Sequence, residues 1–184
     1  MSPRLDMRVI TASMDEMVTR YTLHETAFGP LLLLARDSAL IGLYFADQPH
    51  APAIDRGWRR DDEAEIFAHA LREINEFAAG QRREFTVPVA LTGTPFQRQV
   101  WREIAAIEYG QTRSYGEIAA RLGAFARAVG TAAGRNPICL FIPCHRMVGA
   151  NGALIGYAGG LQRKQRLLEL ERTAAFATCD VPAA

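Results

Sequence analysis

The run Ile142-Pro143-Cys144-His145-Arg146 places a thiol, an imidazole and a guanidinium in succession, at the end of an apolar stretch that begins at Asn136-Pro137. Buried strands seldom end this way. A thiol beside a histidine can lose its proton, and the thiolate is the nucleophilic form of cysteine. The candidate chemistry is attack by Cys144 with His145 as its base. The last helix, expected over Leu161 to Arg172, offers a group to orient that base. At about 100° per residue, Leu161, Leu167, Leu168 and Leu170 gather on one side, with Glu171 near their centre and Glu169 almost opposite. A carboxylate inside an apolar stripe is costly unless paired, so Glu171 is the candidate partner of His145. A helix end where Glu171 reaches solvent is the competing reading, and spacing alone does not separate the two.

Composition narrows the setting. The chain has 184 residues, enough for one domain or two small ones, with 49% hydrophobic and 22% charged residues. No apolar run approaches the roughly 18 residues that span a bilayer. Residues 1–19 carry no apolar h-region and read as a poorly ordered extension without a secretory signal. The three cysteines, Cys139, Cys144 and Cys179, form neither a disulfide framework nor a zinc pair, and a working thiol suits a reducing, cytoplasmic setting. Cys139 reads as a small buried hydrophobe and Cys179 as part of a polar tail, 176–184. Residues 1–93 hold ten basic and fourteen acidic residues, a net of −4, whereas 94–184 hold eleven and six, a net of +5. A basic half suggests a polyanionic partner, although charge runs are usually solvated faces.

The elements that must position these residues fall into two groups. Tyr21-Thr22-Leu23, Leu31 to Ala35 and Leu40 to Phe45 read as an antiparallel meander, with turns at Phe28-Gly29-Pro30 and Asp37-Ser38. Residues 47–60 read as a loop. Asp61-Asp62-Glu63 then suits the first turn of a helix that carries Ile66, Ala70, Ile74 and Phe77 on one face and ends at Gly80. Glu84 to Val89 is a candidate further strand. No cluster of nucleophile, base or metal ligands occurs in this part, and its role reads as structural. Beyond Gly93, Thr94-Pro95-Phe96-Gln97 carries a capping box and a proline at the first helical position, opening a helix to about Ile107. Ser114 and Glu117 form a second box, for a helix that closes at Gly123, and a third helix follows over 125–133. Two short helices joined by a glycine turn fit a helix-turn-helix and equally a generic helical hairpin. The third helix is made mostly of alanine and glycine with Arg127 near its start, so it could approach a nucleic-acid groove closely or simply pack tightly.

These motifs resemble the O6-alkylguanine-DNA alkyltransferases, the methylated-DNA–protein-cysteine methyltransferases. The match runs from about Tyr21 to Arg172. It is densest in 93–97, Val100-Trp101, Tyr109-Gly110, 114–119, 127–130, Asn136-Pro137, 142–146 and 156–160. The resemblance implies an α+β chain. Its N-terminal part, 20–92, would be a ribonuclease-H-like antiparallel sheet with a helix, and 93–175 a winged-helix DNA-binding domain that carries the active site. It implies that Cys144 accepts the alkyl group, that His145 relays its proton through a water, and that Glu171 completes the chain. Asn136 would brace the loop beside the reactive cysteine. Tyr115 would crowd a DNA phosphate and serve the leaving O6, and Arg127 would fill the gap left by the flipped nucleotide. Gly116, Arg135 and Ala150 would be further DNA contacts, with Tyr157, Ala158 and Lys164 lining the alkyl pocket; Lys164 is the only lysine in the chain. The turn between Gly123 and Arg127 is shorter than the family's usual spacing, and no cysteine precedes Cys139, so no zinc site of the kind some relatives carry is expected.

The expected function is DNA repair by direct transfer of the alkyl group of O6-alkylguanine, with O4-alkylthymine a further candidate substrate. The O6 group cannot be reached inside a stacked duplex, so the nucleotide must be extruded at a cost of a few kcal/mol. The thioether product has no carbonyl for water to attack, which predicts one turnover per molecule and no cofactor. No membrane and no obligate protein partner is expected. A lesion-binding module that recruits other repair factors is the alternative, although known modules of that kind carry tryptophan at the cysteine position. A cysteine hydrolase with a Cys–His–Glu triad is the third reading, and it would need an oxyanion hole.

Overall fold

Why the chain folds as it does can be followed in a computed structural model that describes residues 18–49 and 51–176. Most of the expected extension 1–19, and the tail with Cys179, lie outside the described residues. Thr19 does not belong to a loose extension: it is buried, and its hydroxyl accepts a hydrogen bond from Arg36. The chain divides into two units, residues 1–93 with Pro137–Cys139, and 94–136 with 140–184.

In the first unit, β1 (Arg20–Thr26), β2 (Gly29–Arg36) and β3 (Ala39–Phe45) form the expected antiparallel meander. The first turn is tighter than the sequence suggests, because Gly29 and Pro30 already pair with Thr26 and Glu25. Leu31 to Ala35 are all buried, so β2 is covered on both faces and reads as a continuous apolar run instead of an alternating one. The expected loop 47–60 ends in a short strand, β4 (Arg59–Arg60), which pairs parallel to β1, so the sheet is mixed, in the order β3-β2-β1-β4. Helix α1 (Glu65–Ala78) buries Ile66, Ala70, Ile74 and Phe77. It starts later than the acids at 61–63 suggest. Thr22 and Arg60 hold the Asp62 carboxylate, and Arg20 and Arg59 pair with Asp61, so both side chains are committed to the sheet instead of the helix dipole. The backbone of Gly80 and Gln81 closes the helix through bonds to Phe77 and Glu76. Glu84 to Val89 forms no strand; only Val89 bridges, to Leu40. Glu73 pins that segment to α1, accepting from Thr86 N, Thr86 Oγ1 and Val87 N and pairing with Arg82.

The second unit begins with α2 (Pro95–Ala105), whose capping box is complete: Gln97 N donates to Thr94 Oγ1 and Thr94 N to the Gln97 side chain. After β5 (Arg113–Ser114), α3 (Tyr115–Leu122) carries the second complete box, from Ser114 and Glu117. Gly123 ends it at φ 60°, a left-handed turn that costs glycine nothing. Helix α4 (Ala126–Gly134) follows directly. The tight-packing reading of its small residues holds for one face. Val129, Ala132 and Ala133 pack inward, with Trp101 Nε1 donating to Ala132 O at 2.9 Å, while Ala126, Arg127, Thr131 and Gly134 are exposed. Asn136 then carries the chain to Pro137–Cys139, which join the first unit through Leu43, before it returns at Leu140. Strand β6 (Met147–Val148) pairs parallel with β5, and α5 (Leu161–Phe176) completes the unit.

Candidate active site

The reactive residues sit where the chain is most tightly bent. Pro143, at φ −78° and ψ 63°, occupies an inverse γ-turn closed by Cys144 N donating to Ile142 O at 2.7 Å. This turn throws Cys144, His145 and Arg146 into one turn of 3-10 helix, and all three are buried. The register of β5 on β6, Arg113 with Met147 and Ser114 with Val148, brings the start of α3 beside that turn. Tyr115 thereby comes to the same place as the thiol.

Cys144 is only 8% exposed. Its sulfur accepts a hydrogen bond from Asn136 Nδ2 at 3.2 Å, and the same amide nitrogen reaches Ile142 O at 2.8 Å. Burial pushes the thiol up, while the Asn136 amide and the charge of Lys164 favour the anion. His145 turns the other way: its Nε2 lies 2.7 Å from Glu171 Oε1. An ionised carboxylate only accepts, so Nε2 carries the proton and Nδ1 is left as the acceptor. Nδ1 is buried and has no hydrogen-bond partner among the described residues. Burial holds the imidazole below its usual range against the pull of Glu171, which keeps it neutral and able to take a proton.

Glu171 is fully buried and Glu169 exposed. The inward face of α5 is Lys164, Leu167 and Glu171, a spacing of three and four residues. Leu161, expected on that face, is 49% exposed because it is the first residue of the helix, and Leu168 and Leu170 flank the buried line. Sequence reasoning missed the other partners of Glu171. Arg146 Nε donates to Oε2 at 2.9 Å, Arg146 NH2 to Oε1 at 3.0 Å, and Gly110 N to Oε2 at 3.0 Å. Arg146 also donates to Ile107 O at 2.6 Å and lies over the Tyr109 ring, 5.6 Å from its centre. Gly110 has φ +76°, and a Cβ there would stand 3.2 Å from Ala175 and 3.5 Å from Glu171 O. Burial pushes Glu171 up, but the hydrogen bonds and charges of His145 and Arg146 outweigh it and hold the carboxyl at about 2. A signal was available: an arginine next to a buried histidine must find an anion, and Glu171 was already the candidate.

The segment 153–160 forms the other wall. Lys164 Nζ donates to Ile155 O at 2.6 Å and Gly156 O at 3.3 Å, and Tyr115 Oη donates to Gly156 O at 3.0 Å. Burial lowers Lys164 to about 8 and raises Tyr115 to about 12, so the phenol keeps its proton. Tyr157 sets its ring edge-on to His145, with centres 6.4 Å apart, and Ala158 is half-buried next to it. Within the second unit, Asn136 is thus bonded to Cys144 and Glu171 to His145, Tyr157 stacks edge-on to His145, and Tyr115 and Lys164 meet at the Gly156 carbonyl. Arg127 and Arg135 are exposed at the two ends of α4, Gly116 lies exposed in the first turn of α3, and Ala150 opens an exposed 3-10 turn after β6. Cys139 stands apart, in the first unit, its thiol donating to Leu43 O at 3.0 Å. Among the described residues no group of three or more His, Cys, Asp or Glu is placed to hold a metal ion.

Comparison with known proteins meets this geometry. Residues 19–91 match the family model of the 6-O-methylguanine DNA methyltransferase ribonuclease-like domain, and 95–173 that of the DNA binding domain of the same family. The methylated-DNA–protein-cysteine methyltransferase of Mycobacterium leprae is 47% identical over 150 residues, 80% of this chain and 89% of that protein. The inducible enzyme of Bacillus subtilis is 41% identical over 157 residues, covering 79% of this chain and 87% of its own. Among solved structures, Mycobacterium tuberculosis OGT in complex with DNA matches with a TM-score of 0.78 at 44% identity, over 84% of this chain and 94% of that one. With both domain models matched in order, and relatives this similar over most of its length, the chain belongs to the 6-O-methylguanine DNA methyltransferase family.

Proposed function

We propose that this protein repairs O6-alkylguanine in double-stranded DNA by moving the alkyl group irreversibly onto Cys144, once per molecule. The observation that carries the reading is the thiol of Cys144, held by Asn136 beside a neutral His145 whose tautomer is set by Glu171. His145 Nδ1 takes the Cys144 proton through a water. The sulfur then attacks the alkyl carbon in line with the C–O6 bond, and the bonding pair leaves on O6. Tyr115, protonated and half-buried, donates to that oxygen as charge develops and recovers a proton from solvent. A thioether forms, an alkyl ether is broken, and guanine leaves with the proton. Lys164 and Tyr115 hold the 153–160 segment by its carbonyls, giving the alkyl pocket a fixed wall with Tyr157 and Ala158. Arg127 fills the stack when the nucleotide turns out, and Gly116, Arg135 and Ala150 contact the backbone. Residues 20–92 serve as a structural domain and 93–175 as the transferase domain. The setting is cytoplasmic, where thiols stay reduced; among the described residues no helix is long and apolar enough to cross a membrane.

Intact-protein mass spectrometry after mixing with a duplex carrying one O6-methylguanine tests this. The expected result is a gain of one methyl group that saturates at one per chain and maps to Cys144. Tight lesion binding without a mass change would replace transfer by recognition alone.

A further inference from the structure

Helix α4 begins in a way that its neighbours do not. Helices α2 and α3 each open with a complete capping box, from Thr94 with Gln97 and from Ser114 with Glu117. The N-cap of α4 is Phe125, which offers no capping bond. Replacing a good cap by an apolar residue usually costs on the order of 1 kcal/mol. The ring recovers nothing inside the protein, being 85% exposed, while all other described aromatic side chains are at least partly buried. A single exposed apolar side chain is ordinary in itself. What sets this one apart is its place. It stands two residues before Arg127, at the start of the second helix of a helix-turn-helix, where such helices meet DNA. Behind it the exposed residues of α4 other than Arg127 are Ala126, Thr131 and Gly134, with no bulk to hold a duplex away.

The backbone under the ring is hydrogen-bonded on both sides. Ala124 N donates to Ala119 O at 2.9 Å, and Phe125 O accepts from Ala128 N at 2.9 Å and Val129 N at 3.1 Å. The ring therefore projects from a held backbone, and contact with a partner orders only its two side-chain torsions. Charge complementarity names the occupant: α4 has no acidic residue, and Arg127 and Arg135 are exposed on it.

We propose that Phe125 is a DNA-contacting wedge of this protein, its ring packing against the sugars and base edges of the groove that α4 approaches, beside Arg127. The inference rests on the DNA-repair reading. Apolar wedges at kinked or opened base steps are a common device of groove-binding proteins. Here the wedge also brings apolar reach to the short turn between Gly123 and Arg127. Because the contact is apolar, it strengthens binding without neutralising a phosphate, and so leaves the salt dependence alone.

The test is the affinity of full-length protein for an undamaged duplex, by fluorescence anisotropy at several salt concentrations, with melting temperature and reaction with free O6-benzylguanine measured alongside. Phe125→Ser restores a good cap. It should melt no lower than the parent yet bind duplex about tenfold more weakly, the loss of one well-buried apolar contact. Phe125→Leu should recover most of the affinity, the salt slope should stay at the parent value, and the free base should react at the parent rate. Parent-level duplex binding by Phe125→Ser would overturn the wedge and leave the repair reading standing. A flatter salt slope in Phe125→Ser would also overturn it, by showing that Arg127 had been displaced instead. A parent protein that binds no duplex would take the DNA-repair reading down, and the wedge with it.

Discussion

Each unit of this protein buries one cysteine and one glutamate, and the two pairs are put to opposite use. In the first unit the Cys139 thiol donates to Leu43 O, an arrangement that needs the proton and holds it. In the second, the Cys144 sulfur accepts from Asn136, an arrangement that survives loss of the proton and is strengthened by it. Glu73 accepts from Thr86 and Val87 and pairs with Arg82, which ties the 84–89 segment to α1. Glu171 accepts from Arg146 and Gly110 in much the same way, but spends part of one oxygen on His145. Burial and a paired charge are thus common to both halves. Reactivity follows from the direction of the hydrogen bond at sulfur, and from a base within the same network.

The strongest way to break that contrast is to remove either thiol. Cys144→Ala should abolish transfer entirely while the protein still folds and binds duplex, and Cys139→Ala should transfer one methyl group as the parent does. Mass spectrometry after incubation with methylated duplex reads both. Methylation of Cys144→Ala at Cys139 would show that hydrogen-bond direction does not govern the choice of sulfur.

Next in size is the carboxylate behind the base. Glu171→Gln should slow transfer by roughly a hundredfold or more, the usual weight of a positioned acid–base group. The neutral amide can present a donor to Nε2 and so favour the wrong tautomer of His145. Glu169→Gln, on the solvent side of α5 with its carboxylate bonded to Gln165, should react at the parent rate. Single-turnover rates on a duplex, normalised to folded protein, decide it. Equal slowing by both substitutions would mean that burial on α5 has no bearing on the chemistry.

That helical-face argument shows what was legible beforehand. Interactions closed within a few residues could be read directly: both capping boxes, the glycine end of α3, and the placement of Glu171 against Glu169. The partners brought from far along the chain could not. Gly110 reaches Glu171 across 61 residues, and nothing local marks its amide as a ligand. The start of α1 was misplaced because Arg20 and Thr22 claim Asp61 and Asp62 from another element. Strand β4 is two arginines long, below any periodic signal, and exists because β1 offers it an edge. Likewise Pro137–Cys139 reads as one run with the reactive turn, whereas Leu43 takes those three residues for the first unit.

A smaller effect should come from the exposed side of the second unit. Arg127→Ala removes a side chain exposed on α4, so free O6-benzylguanine should react nearly as it does with the parent. Repair of duplex should fall about tenfold, and the salt dependence of binding should flatten by about one phosphate contact. Equal loss on duplex and free base would place Arg127 in the chemical step instead of the flipping step.

Glu73 should have the smallest effect on the reaction and a clear one on the fold. Glu73→Gln keeps the shape but weakens the bonds from Thr86 and Val87 and leaves Arg82 without its buried partner; a loss of about 2 kcal/mol fits charged hydrogen bonds of this kind. Folded molecules should transfer at the parent rate. The pH dependence separates the two carboxylates further. For Glu73, burial raises the carboxyl, but its bonds to Thr86 and the charge of Arg82 prevail and hold it below its ordinary value. Glu171 is held at about 2. Since both folded-state values lie below the unfolded carboxylate value of about 4.3, the stability they supply is present above that value and fades as pH falls below it. In denaturant titrations between neutrality and strong acid, the gap between parent and Glu171→Gln should shrink as pH falls below about 4.3 and be gone near pH 2. The gap to Glu73→Gln should narrow over the same acid limb, with no accompanying change in transfer rate per folded molecule. A Glu73→Gln protein that is as stable as the parent at neutral pH, or that transfers more slowly when fully folded, would erase the distinction between a carboxylate that holds a segment and one that holds a base.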